Sequence, residues 1–186
     1  MPSFDSPWRL WWLSTEKFSR HPDEVGTVLD VIESEMSDWV STGCMEQLGI
    51  WIWPICKLEL LPVFGLHAVQ KAEAATRHHA QMLLNVGVGY GGRQEIVEAV
   101  KGYLQEHFER RQSVEEIFGG LSPDANAKYL YVYDCPDPDL IIRTRGEVRL
   151  SGFMLWQSAF SGYYSRDEHW PSVRRLDFLR ATRSYQ

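Results

Sequence analysis

The sequence predicts an α/β domain, with a mostly parallel central sheet flanked by helices on both faces. Three observations carry that prediction. Short apolar runs bounded by turn residues recur at Trp8–Ser14, Gly49–Trp53, Met82–Val88 and Leu140–Arg143. The segments between them repeat their apolar residues at helical spacing. Strands alternating with helices imply a parallel sheet, because parallel neighbours need long crossovers and bury both faces. With 186 residues, 44% apolar and 24% charged, the chain has ordinary globular composition and is long enough for one core.

Trp8–Ser14 (WRLWWLS) reads as a buried strand because its apolar run stops at the polar segment Thr15–Arg20. Pro22, Asp23 and Glu24 then suit a first helical turn, where proline's missing N–H costs nothing and carboxylates meet the positive end of the dipole. Val25, Val28, Leu29, Ile32, Met36, Trp39 and Val40 form that helix's apolar stripe, and Gly43 ends it. Gly49–Trp53 (GIWIW) is a second strand, expected to close at Pro54. A helix from about Pro62 to Arg77 turns Val63, Leu66, Val69, Ala72 and Ala75 inward. Met82–Val88 (MLLNVGV) is a third strand, entering a glycine-rich turn at Gly87–Gly92. The next helix is expected to bury Ile96, Val97, Val100, Leu104 and Phe108. Ser113 and Glu116 make a capping box for a short helix ended by Gly119 and Gly120. Tyr129–Tyr133 has strand propensity, and Leu140–Arg143 is a better strand. A basic loop to Ser151, an amphipathic stretch through Tyr164 and a last helix from about Ser172 complete the chain. No internal repeat is visible, so residues 1–186 are expected to form a single domain.

The formal charge of −6 argues against a nucleic-acid partner, whose phosphates demand a basic surface. The most apolar stretch, Gly49–Cys56, is far shorter than the roughly 20 residues that span a bilayer, so no transmembrane segment is expected. Three cysteines without a Cys-x-x-Cys pair indicate reduced thiols and a cytoplasmic location. Eight tryptophans are the compositional oddity, read either as core packing or as the lining of an apolar cavity.

In a parallel sheet the carboxyl ends of the strands carry function, and three features sit there. Gly87-Val88-Gly89-Tyr90-Gly91-Gly92 matches the Gly-x-Gly-x-x-Gly phosphate turn of a dinucleotide site, and equally a tight turn where helix and strand approach closely. Arg143, Arg145 and Arg149 fall within seven residues beside Ser151. Their guanidinium forks suit a phosphate or diphosphate, while the alternative is a solvated loop with Glu147 paired to an arginine. Ser14, Thr15, Glu16 and Arg20 lie at the exit of the first strand, where such residues also serve as helix caps.

Taken in order, these residues resemble the cis-prenyltransferase family nearly end to end. The resemblance is carried by Ser14-Thr15-Glu16 with Arg20, Asn85 to Arg93, Asp137 to Thr144, Gly146 to Phe153, Leu155-Trp156-Gln157 and Trp170-Pro171, with Asp137 to Gln157 the most specific part. Glycine at 89 and 152 resembles the short-chain branch that makes Z,E-farnesyl-type diphosphates. The resemblance implies an undecaprenyl diphosphate synthase-like fold, a homodimer, and a reaction joining isopentenyl diphosphate to an allylic diphosphate with magnesium. It implies that Arg143, Arg149 and Ser151 hold the isopentenyl diphosphate with Leu150 alongside, that Ser14, Thr15 and Glu16 line the site, that Arg20 contacts substrate, and that apolar helices house the growing chain.

The family pattern is not followed throughout. Its first strand and magnesium-binding Asp-Gly-Asn loop are expected before Trp8, and its Arg-x-Gly tail after Gln186, so the domain is expected to be incomplete at both termini and to lack the first strand. Lys17 replaces the asparagine of the catalytic position, Phe18 a tryptophan, and Gly162 a metal-binding glutamate, leaving no metal ligand assigned in this chain. Two other readings stand beside the transferase: a catalytically impaired partner of the same fold, and a nicotinamide-dependent oxidoreductase resting on Gly87, Gly89 and Gly92.

Overall fold

The structure is a computed structural model that describes residues 7–57, 61–146 and 152–185. It divides into two compact units at Pro136/Asp137.

The first unit opens with β1 (Trp8–Ser14), a 3-10 turn (Thr15–Ser19), α1 (Pro22–Ser41) and the short α2 (Cys44–Gln47), which the sequence reading did not foresee. Then come β2 (Ile50–Cys56), α3 (Val63–Thr76), β3 (Met82–Tyr90), α4 (Gly92–Glu109), α5 (Val114–Gly120) and α6 (Pro123–Ala127). The strands form a parallel sheet in the order β1-β3-β2. Central β3 is buried from Leu83 to Tyr90, which is why it reads as an unbroken apolar run. Leu13, Ile52, Leu84, Val86 and Val88 pack with Leu29, Ile32 and Met36 of α1 and Val69 and Ala72 of α3 into the main core. Trp12 meets Trp39 at 4.9 Å between centroids, and Trp51 stacks on Trp53 at 5.6 Å, so these aromatics serve packing.

Three expectations are corrected. β2 does not close at Pro54 but continues to Cys56, with Pro54 opposite Val86. At the edge of the three described strands one side of the ladder is open, and a residue lacking an N–H is tolerated there. α4 buries Glu95, Ala99 and Tyr103, while Val97, Leu104 and Phe108 are exposed. The cause is specific pairing: Glu95, fully buried, accepts from the Tyr90 hydroxyl at 2.5 Å and the Tyr131 amide at 3.0 Å. Tyr129–Tyr133 is a turn, not a strand. Tyr129 and Tyr131 donate their hydroxyls to Glu106 and Glu98 of α4, and Leu130 and Val132 are buried.

The Tyr129–Glu106 bond, 2.6 Å long, gives a first prediction. Donation to the Glu106 carboxylate pushes the Tyr129 phenol up to about 12. An unfolded tyrosine ionises near pH ~10, so stability present below that pH falls as pH rises through the folded value. Urea midpoints measured between pH ~10 and ~12 are expected to fall more in the wild type than in Tyr129→Phe.

The second unit contains β4 (Leu140–Arg143), β5 (Gly162–Ser165), a 3-10 turn (Trp170–Ser172) and α7 (Arg175–Tyr185). β4 and β5 are parallel, pairing Leu140 with Gly162 and Arg143 with Ser165. β5 occupies part of the stretch read only as amphipathic. Among the described residues no helix is long and apolar enough to cross a membrane.

Candidate active site

At the carboxyl end of β1 the register slips twice. Trp12 is an extra residue between the pairs Trp11–Gly87 and Leu13–Val88, and Gly89 is an extra residue before Ser14 meets Tyr90. Gly89 takes φ +66°, a conformation glycine adopts without the Cβ penalty, so the second bulge needs this residue. Bulges re-aim a strand end, and here they set Ser14 and the following 3-10 turn beside the start of α4.

The turn packs on the glycines. A Cβ at Gly91 would fall 2.3 Å from Thr15 Oγ1, and one at Gly89 would fall 3.2 Å from the Phe18 ring. Gly87 lies inside the sheet, opposite Trp11 and Ile55. The glycine-rich segment is therefore a close-packing device whose open faces are filled by Thr15 and Phe18, which removes the basis of the nicotinamide reading. Glu16 and Lys17 are exposed, and Arg20 pairs with Glu24 one turn into α1. Ser14, Thr15, Glu16, Lys17 and Arg20 are thus brought together at one strand exit, with Arg20 already engaged.

In the second unit Arg143 ends β4. Its Nη1 is buried with no hydrogen-bond partner among the described residues. An unsatisfied buried donor costs about 1–3 kcal/mol, a burden that Nε of Arg166 in the same unit also carries. Arg145 and Gly146 follow with φ +69° and +63°, turning the chain sharply, and Arg145 is exposed. Arg149, Leu150 and Ser151, with the partner residue Glu147, lie outside the described residues.

Gly162 begins β5 with its amide donating to the Asp139 carbonyl at 2.8 Å. A Cβ there would meet the Tyr185 ring at 3.2 Å. Tyr185 is held above the ordinary phenol range first by the Asp139 charge, then by burial and a hydrogen bond to Asp139. A side chain at this position would therefore press on the Tyr185 ring. Among the described residues no three His, Cys, Asp or Glu side chains are gathered where they could hold a cation. Gly162 has no side-chain oxygen, so this position does not fit the magnesium that the resemblance implies.

A cavity of about 300 Å³ is lined by Tyr103, Glu106, His107, Arg110, Lys128 and Tyr129. It starts about 16 Å along α4 from the strand ends. Its carboxylate Glu106 is taken by Arg110 and Tyr129, so this cavity is separate from the strand-end chemistry.

The chain is an α/β protein of parallel strands, with hydroxyls at the carboxyl end of β1 and, in the second unit, an arginine at the carboxyl end of β4, the strand ends at which such proteins carry their ligand sites. Comparison with known proteins names the family. The sequence profile of undecaprenyl diphosphate synthase matches residues 8–186, and the chain belongs to this prenyltransferase family. It is 43% identical over 177 residues to an isoprenyl transferase of Deinococcus radiodurans, covering 95% of this chain and 65% of that protein. It is 44% identical to the (2Z,6E)-farnesyl diphosphate synthase of Thermobifida fusca, covering 95% of this chain and 67% of that protein. The chain thus spans about two thirds of the length of these relatives. The crystal structure of lavandulyl diphosphate synthase from Lavandula x intermedia, in complex with dimethylallyl diphosphate, is similar with a TM-score of 0.84 at 28% identity, covering 95% of this chain and 74% of that one.

Proposed function

We propose that residues 1–186 act as one catalytic domain, an isoprenyl transferase joining isopentenyl diphosphate to an allylic diphosphate in a short cis-prenyl diphosphate of the Z,E-farnesyl type. The names of the relatives support the reaction class. The observation that carries it is the buried, unpartnered Nη1 of Arg143 at the carboxyl end of a parallel strand. An anionic headgroup supplies the acceptor this donor lacks.

In the reaction the allylic C–O bond breaks, the pyrophosphate departs with its electrons, the isopentenyl double bond attacks the allylic cation, and a proton is lost to form the new cis double bond. Arg143, Arg149 and Ser151 hold the isopentenyl diphosphate with Leu150 alongside, and Ser14, Thr15 and Glu16 line the site. Arg20 reaches substrate by exchanging its Glu24 partner for a diphosphate oxygen. Lys17 carries three donors and no acceptor, so the departing pyrophosphate is the better proton acceptor. The homodimer implied by the resemblance and the cytoplasmic location read from the cysteines belong to the same proposal.

Gly162 favours a second reading, a noncatalytic partner that keeps headgroup binding, because this position has no donor and faces Tyr185. Incubation with radiolabelled isopentenyl diphosphate, magnesium and dimethylallyl, geranyl or farnesyl diphosphate decides. An elongated product with a new cis bond is expected. Binding without product establishes the second reading, and loss of both refutes the family assignment of Arg143.

A further inference from the structure

We infer that Arg166, clamped between Asp177 and Glu168, is a positioning residue for the diphosphate-binding turn that begins at Arg143. Arg143 ends β4, and Arg166 directly follows β5, its parallel neighbour. Each has one buried nitrogen without a hydrogen-bond partner among the described residues, Nη1 of Arg143 and Nε of Arg166, but Arg166 Nη2 also donates to Glu168 Oε1 at 2.6 Å and Asp177 Oδ1 at 3.1 Å. A guanidinium whose charge is offset by two carboxylates is poorly placed to take a substrate anion, so its work is structural.

What it holds is the turn. The Arg166 amide donates to the Arg143 carbonyl at 2.9 Å, the Arg166 carbonyl accepts from the Gly146 amide at 2.8 Å, and the Arg145 amide donates to the Glu168 carbonyl at 2.9 Å. Arg145 and Gly146 are both left-handed, at φ +69° and +63°. Arginine has no intrinsic preference for that conformation, so these cross-strand bonds keep the turn in place. The far end of the clamp is firm. Asp177 is 4% exposed, sits in the first turn of α7, and accepts from the Arg174 amide at 3.1 Å. Arg180 lies 3.5 Å from the same carboxylate. The chain from α7 through Asp177 and Arg166 to the Arg143 carbonyl therefore fixes where the Arg143 guanidinium starts.

This rests on Arg143 being a ligand of isopentenyl diphosphate. The test is calorimetric titration of the full chain, and of Arg166→Met and Arg166→Lys, with isopentenyl and separately dimethylallyl diphosphate, alongside hydrogen exchange of the free proteins. Arg166→Met is expected to weaken isopentenyl diphosphate at least tenfold and dimethylallyl diphosphate less than twofold. The Arg145 and Gly146 amides should exchange at least tenfold faster while β3 amides are unchanged, and Arg166→Lys should recover a large part of both losses. Unchanged isopentenyl affinity in Arg166→Met, equal losses for both ligands, or a lysine variant no better than methionine overturns the inference. If Arg166→Met does not fold, the lysine variant decides by the same two readouts. A wild type that binds no isopentenyl diphosphate overturns the proposed function itself, a result distinct from a wild type that binds and an Arg166→Met that binds as well.

Discussion

Arg143→Met is expected to lower affinity for isopentenyl diphosphate by about 10- to 150-fold while leaving the protein as stable as before or more so. The two effects share a cause. Nη1 of Arg143 is buried without a hydrogen-bond partner among the described residues, so the free protein bears the desolvation of a donor. That burden is about 1–3 kcal/mol, and methionine removes it while keeping an unbranched stem for the packing along β4. In the complex the same donor meets a phosphate oxygen, and a bond to a charged group contributes about 1.5–3 kcal/mol, which sets the loss of affinity. Calorimetry reads the first quantity and the urea midpoint the second. A methionine variant that binds normally but unfolds at lower urea would make Arg143 a structural residue and remove the main support for the proposed reaction.

The strands were legible because a parallel strand buried on both faces is written as a continuous apolar run, as in Met82–Val88. Helix α4 was misread for the opposite reason. Its apolar residues Val97, Leu104 and Phe108 face outward while Glu95 is fully buried. The carboxylate there accepts from Tyr90 and Tyr131, and the Tyr131 amide lies 36 residues on in the chain. No periodicity records a partner that distant. The turn at Tyr129–Tyr133 was missed for the same reason, since its tyrosines are committed to α4 carboxylates and not to a ladder. The places of Ser14 and Thr15 after β1 and of Arg143 at the end of β4 could be read from residue order, but the clamp on Arg166 could not. It depends on Asp177, 11 positions beyond Arg166 and on a different element.

Gly91→Ala is expected to cost about 1–3 kcal/mol of stability, the range for overpacking, and to displace a residue of the candidate site. The backbone raises no objection, because Gly91 has φ −150°, extended geometry open to any residue. The obstacle is Thr15, whose Oγ1 would lie 2.3 Å from the new methyl, with its Cβ and Cγ2 both at 3.4 Å. Rotating χ1 gives little relief, since a β-branched side chain keeps two of its three staggered positions filled and the methyl is as bulky as the hydroxyl. The 3-10 turn must therefore move, carrying Thr15 and its neighbours away from the start of α4. If that is the mechanism, Thr15→Ala in the same chain removes Oγ1 and Cγ2, leaves only Cβ at 3.4 Å, and restores most of the loss. A double-mutant cycle is then expected to show a coupling of about 1 kcal/mol or more between positions 15 and 91. Strictly additive urea midpoints would mean that the two residues do not press on each other, and that the glycine-rich segment owes its composition to something other than the seat it makes for Thr15.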